Sequence, residues 1–213
     1  MAKAILERLR FLDFGSPAPS KYWLTRFIFL RFLGGMYFIA FLILVNQGLP
    51  LIGENGLLPA KNLIDILGPR YETIFAAFLK IPTLFWFHLS DRMLIICAWV
   101  GTILSFVVLI GFANAPILLI LWFLYMSFLH IGQTWYGFGW ETQLLETGFL
   151  GIFICPLVDL RPFPRSPPPA PVFWLLRWLI FRIYMGAGMI KIRGDDCWQD
   201  LTCMIYHYET QPL

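Results

Sequence analysis

A chain of 213 residues is long enough for one or two soluble domains, yet 59% hydrophobic and only 14% charged residues argue against an ordinary soluble protein, which carries about a quarter charged residues. The abundance of Phe (21) and Trp (9) and a mean hydropathy of +0.70 point instead to a polytopic membrane protein. The net charge of +3 selects no anionic partner, and with arginines dispersed among apolar residues there is no nucleic-acid signature.

Residues 1–21 form a cytoplasmic N-terminal segment. Lys3, Arg8 and Arg10 stand beside Glu7 and Asp13, with no apolar core of signal length and no small-residue cleavage site. The first helix therefore serves as an uncleaved anchor. A spanning helix needs about 20 mainly apolar residues. Residues 22–45, 93–112, 116–136, 143–158 and 172–192 qualify. Residues 74–88 are apolar but interrupted by Lys80 and Pro82, which suits an interfacial or re-entrant segment. The expected fold is all-α: a membrane helical bundle of about five transmembrane helices over residues 22–192, followed by a tail, 193–213.

Lys and Arg in short flanking loops set orientation. Lys3, Arg8, Arg10 and Lys21 place the N-terminus in the cytoplasm, and counting forward brings Arg161 and Arg165 to the same side. The loop 137–142 and the tail then lie on the non-cytoplasmic side. Lys61, Arg70, Lys80 and Arg92 in the first loop count in the opposite direction. Cys97 and Cys155 fall inside helices as small apolar residues. Cys197 and Cys203 fall in the tail, where a disulfide and two free thiols both fit. No N-x-S/T sequon is present, as suits a bacterial source or an untouched luminal loop.

Two stretches share a pattern. "WLTRFIFLRF" (23–32) and "WLLRWLIFRI" (174–183) both read W-L-x-R with a second Arg five residues later. Arg26, Arg31, Arg177 and Arg182 then all lie in the cytoplasmic half of their helices. They either snorkel to headgroups or form a shared polar site at that depth.

"GWETQLLETGFLGIFICP" (139–156) places carboxylates at the mouth of an apolar helix. Thr142, Gln143 and Glu146 share one helix face, while Glu141 points elsewhere. Acids at a helix N-terminus also favour the positive end of its dipole, which gives a capping alternative for Glu141. Lys191, near the end of the fifth helix, shares a face with Tyr184 and Arg177. A Glu146–Lys191 pair would offset the buried acid. His130, Gln133 and Thr134 lie at the same level, with His130 expected as a hydrogen-bonded packing residue. No metal-ligand spacing and no cofactor motif occurs.

At these residues the chain resembles a known family. "GWETQLLETGFLGIFICPL", "LRWLIFRIYMGAGMIKIRGD", "CWQDLTCM" and "YHYETQP", with "LIGENGLLPA" and "PTLFW" earlier, look like the lipase maturation factor family. The resemblance implies a multi-pass protein of the endoplasmic reticulum membrane, or of the inner (plasma) membrane in bacterial members. It implies a chaperone-like role in folding and assembling secreted lipases, with membrane lipids and lipases as partners. No G-x-S-x-G nucleophile elbow is present, so the chain is not itself a lipase. Family members continue past this point into further helices and a large non-cytoplasmic domain, so the tail is expected to begin a missing region. A shorter likeness, "GAGMIKI" followed by "CW", is to the vitamin K-dependent γ-glutamyl carboxylase family. It implies Lys191 as a base on a lipid or quinone-like substrate, desolvated among Met189, Ile190 and Ile192.

Overall fold

The computed structural model describes residues 22–160 and 166–210. The N-terminal basic residues and Arg161 and Arg165, which carry the orientation argument, lie outside them. Every regular element among the described residues is helical. The chain divides into two compact units, Met1–Val172 and Phe173–Leu213.

The first unit is built from α1 (Trp23–Ile52), α2 (Ala60–Leu67), α3 (Ile74–Lys80), α4 (Asp91–Ile110), α5 (Ala115–Ile131) and α6 (Gly139–Ile154). Short 3-10 turns lie at Gly68–Arg70, Leu84–Trp86 and Gln133–Tyr136. Polar side chains set several boundaries. The Ser90 hydroxyl accepts from the Met93 N–H at 3.3 Å to start α4, and Asn114 accepts from Ile117 at 2.9 Å to start α5. Gly111 ends α4 at φ 125°, where only glycine is unstrained. Its N–H and that of Phe112 donate to Val108 and Val107, closing the last turn as a Schellman motif.

The boundaries differ from expectation for identifiable reasons. The first helix runs past residue 45 to Ile52 because Asn46 does not break it: its amide donates back to the Leu42 carbonyl at 3.0 Å. Pro50 sits in the last turn, and the carbonyls of Pro50 and Leu51 accept from Leu57 and Leu58 as the chain folds back. The third expected span stops at Ile131 instead of 136, since Gln133 takes φ 52° and a 3-10 turn follows. The fourth starts at Gly139 instead of 143 and stops before Cys155, which Pro156 holds extended. Residues 74–88 form α3 and the turn Leu84–Trp86, parted by Pro82. Helix α2 was not expected from the sequence. Its eight residues are too few to span.

Helix α1 is the axis of this unit. Gly34 meets Leu109 and Val108, Phe41 meets Gly101, and the Glu54 N–H donates to Asp91 at 2.8 Å, so α4 runs antiparallel to α1. Tyr37 lies against Gly148, and Leu33 and Phe29 against Gly151, so α6 is antiparallel too. Tyr37 and Phe41 pair with Tyr125 at 5.8 Å, and Phe41 with Phe128 at 6.4 Å, which sets α5 parallel to α1. The Ala115 N–H donates to the Pro156 carbonyl at 3.0 Å, and the Trp122 indole to Leu145 at 3.0 Å, joining α5 to α6. The core between them is Leu30, Leu33, Tyr37, Phe41, Leu118, Leu121, Tyr125 and Phe128.

The second unit holds most of α7 (Ala170–Gly194), a 3-10 turn at Asp196–Trp198, and α8 (Cys203–Thr210). Helices α1, α4 and α7 are long and apolar enough to cross a membrane, and α5 is a shorter apolar helix. Among the described residues the chain is thus all-helical, with the long apolar helices of a membrane bundle.

A Cβ added at Gly101 would overlap the Phe41 ring, whereas one at Gly35 would meet only the tip of Leu109 at 3.6 Å. Gly101→Val should cost about 1–3 kcal/mol by overpacking. Gly35→Ala should be neutral or slightly stabilising. Thermal unfolding in detergent separates the two, and equal effects would argue against the close α1–α4 crossing.

Candidate functional site

The end of the first unit that carries the α5–α6 turn collects the polar groups an apolar bundle would be expected to exclude. The buried stripe of α6 is Glu141, Leu144, Gly148, Gly151 and Ile154. Steps of three and four residues place these on one face, so the stripe that packs on α1 begins with a carboxylate. Glu141 is 2% exposed, and its Oε2 has no hydrogen-bond partner. The Tyr125 hydroxyl, on a residue that is fully buried, likewise has none. Glu141 lies within electrostatic range of Tyr125 and Tyr136, and the rings of these tyrosines are 6.3 Å apart. The Tyr37 hydroxyl completes the group, donating a long 3.5 Å bond to the Leu144 carbonyl. Burial of one unpartnered polar group costs about 1–3 kcal/mol, more if it is charged. This end therefore carries a stability penalty that packing alone does not explain.

The sequence reading set Glu146 deeper than Glu141, and the structure buries Glu141. Thr142, Gln143 and Glu146 do share a face, but it is the exposed one. Thr142 bonds only the Gly139 carbonyl of its own turn. Because the helix starts at Gly139, Glu141 falls in its first turn and points to the core instead of capping the end. The signal was present: Leu144, Gly148, Gly151 and Cys155 step backward at helical spacing to Glu141. Tyr37 and Tyr125 were missed because nothing distinguishes them from their aromatic neighbours until the helices are docked.

Around this group, Gln133 donates to the Leu58 carbonyl at 3.1 Å, tying the α5 end to the loop after α1. His130 bonds the Met126 carbonyl at 2.7 Å. A cavity of about 80 Å³ opens beside Glu54, Lys61 and Asp91. At the opposite end, Arg26 is buried and its guanidinium donates to the Ser166 carbonyl at 2.9 Å. Arg31 is half-buried, donates to Phe27 at 3.2 Å and stands 3.6 Å over the Phe27 ring.

In the second unit Lys191 is exposed and stands 4.7 Å from the Trp198 ring centroid, a cation–π contact. Ile190 and Ile192 beside it are 73% and 64% exposed. Tyr184 and Arg182 are exposed, as is Arg177, which stands 4.9 Å over the Trp174 ring. The Glu146–Lys191 pairing expected from the sequence joins residues of different units. Cys197 and Cys203 have Cα atoms 4.9 Å apart. Cys97 and Cys155 are buried thiols, as read from the sequence.

A Cβ at Gly148 would overlap the Tyr37 hydroxyl. Gly148→Ala should therefore destabilise by about 1–3 kcal/mol, and Tyr37→Phe should recover part of that loss. A double-mutant cycle by thermal unfolding measures the coupling, and strictly additive effects would mean that the two residues do not meet.

The family description that matches, over residues 24–213, is "Lipase maturation factor transmembrane domain". Lipase maturation factor 1 of Bos taurus is 49% identical over 93% of this chain and 37% of its own length. That of Mus musculus is 50% identical over 90% of this chain and 35% of its own. Lipase maturation factor 2 of Xenopus tropicalis is 35% identical over 88% of this chain and 28% of its own. The chain thus spans between 28% and 37% of the length of these curated relatives. No solved structure matches it.

Proposed function

Because the chain belongs to the lipase maturation factor family, we propose that it is the membrane-embedded part of a protein that assists the folding and assembly of secreted lipases. The observation that carries this is the near 50% identity to lipase maturation factor 1 over nine-tenths of the chain. Matches to proteins of cattle, mouse and frog favour the endoplasmic reticulum membrane over a bacterial inner membrane.

In this reading α1, α4, α5, α6 and α7 are five spans, with residues 1–21 cytoplasmic. The antiparallel order of α1, α4, α5 and α6 supports it, since each successive helix reverses direction. Glu141, Tyr125 and Tyr37 then lie toward the non-cytoplasmic side, as do residues 193–213. That side is oxidising, and a Cα separation of 4.9 Å suits a disulfide between Cys197 and Cys203. We assign the working polar site to Glu141 and its tyrosines. A buried carboxylate that lacks a partner for one oxygen weakens the fold, and natural proteins keep such costs where function needs them.

Expression of the full-length protein with a secreted lipase, in cells lacking their own maturation factor, should raise secreted lipase activity. Unchanged activity would remove the proposal. Glu141→Gln should leave unfolding temperature unchanged or raise it while lowering that activity. Activity that simply follows stability would reduce Glu141 to a packing residue.

A further inference from the structure

The segment joining α2 to α4 turns its irregular backbone inward and its helix outward. Thr83, Phe85 and Trp86 are buried. The Thr83 hydroxyl donates to the Ser127 carbonyl at 3.0 Å, and the Ser127 hydroxyl accepts from the Leu84 N–H at 3.1 Å. The Trp86 indole donates to the Ile81 carbonyl at 2.9 Å. In contrast Ile74, Phe75 and Leu79 of α3, with Phe87 just after the turn, are 54–66% exposed. Water would penalise this arrangement, because it leaves four large apolar side chains exposed within fourteen residues. Hydrocarbon favours it. A helix satisfies its own backbone and can face lipid, whereas irregular backbone is tolerated at membrane depth only where protein covers it.

Depth follows from the attachment to α5. Ser127 lies four residues, and Phe123 eight, before the helix end at Ile131. At about 1.5 Å per residue these are about 6 and 12 Å along the axis. The Phe78 ring of α3 stands 6.0 Å from that of Phe123, and the Phe85 ring 5.1 Å from that of Phe128. The segment therefore runs alongside the last two turns of α5 rather than across its end. The 17 residues of α5 measure about 26 Å, less than a hydrocarbon core of about 30 Å. A span of that length has no excess to lift its end, and the attached segment, far into water.

We propose that residues 74–87 are a re-entrant finger in the non-cytoplasmic leaflet, hinged on Ser127, whose Ile74, Phe75, Leu79 and Phe87 face contacts lipid acyl chains. Lys80, at the end of α3, is exposed and has a stem long enough to carry its ammonium toward the headgroups. Arg70 and Arg92, both exposed, flank the finger on its two approaches. This inference rests on α5 being a span, as read above, and not on any role in lipase maturation.

Spin labels at Phe75→Cys, Leu79→Cys and, within α5, Ile120→Cys test it in the full-length protein in nanodiscs, with Cys97→Ala and Cys155→Ala as background. Power saturation by oxygen and by a water-soluble nickel chelate reads the surroundings. Oxygen access with chelate protection at residues 75 and 79, equal to that at residue 120, is the expected result. Adding Ser127→Ala should cause a loss of that protection at residue 75. Chelate access at 75 and 79 beside a protected 120 would overturn the finger, as would exclusion of both reagents, which marks a protein cover. Chelate access at 120 would instead remove the span and the finger with it.

Discussion

Helix α1 reaches the middle of its unit only because its neighbours present glycine where its large side chains arrive. Phe41 lies on Gly101, Tyr37 on Gly148 and Leu33 on Gly151, while Gly34 returns the favour to Val108. In a lipid setting the hydrophobic effect does little to hold helices together, so close approach and van der Waals contact must supply the attraction. Each glycine removes a side chain at a crossing and lets an aromatic ring or a leucine fill the gap. The consequence reaches beyond packing. The same approach that seats Phe41 brings Tyr37 to Tyr125 at 5.8 Å, and so assembles the tyrosines around Glu141.

Polar side chains in the apolar helices mostly spend their hydrogen bonds locally. Thr102 and Ser105 donate to the carbonyls of Ala98 and Gly101 one turn back, and Ser127 to that of Phe123. Such back-bonding satisfies a hydroxyl without a neighbour. Glu141 and Tyr125 have no comparable local solution, since a carboxylate has no proton to give a carbonyl and the phenol hydroxyl lies too far from its own backbone. Their unmet hydrogen bonds therefore mark them apart from the other buried polar groups of the unit. Ser127 does more than satisfy itself. Its hydroxyl also accepts from the Leu84 N–H, and its carbonyl from the Thr83 hydroxyl.

Much of this was legible in the sequence. Runs of about 20 apolar residues gave the long helices, and the long motifs from Trp23 onward gave the family, because both signals accumulate over many positions. What failed was phase. A helix start displaced from 143 to Gly139 changes no residue's identity, yet at about 100° per residue the choice of start decides which residues are judged to lie deep. The carboxylate judged deep, Glu146, is exposed, and the one assigned to the rim, Glu141, is enclosed. The surroundings of Lys191 were illegible for another reason. Its apolar sequence neighbours suggested burial, but helical neighbours in sequence point away from one another, and the contact it makes is with Trp198. Helix α2 and the hinge at Ser127 are products of docking and carry no pattern of their own.

The link between the Ala115 N–H and the Pro156 carbonyl lies at the end of the α5–α6 hairpin opposite its turn. Together with the Trp122–Leu145 bond midway, it clasps the two helices independently of how the chain crosses between them. Their register is thus inherited from the body of the hairpin and not from its tip. The tip at Gly137 and Phe138 can consequently absorb a change of length or composition without realigning the two helices beneath it.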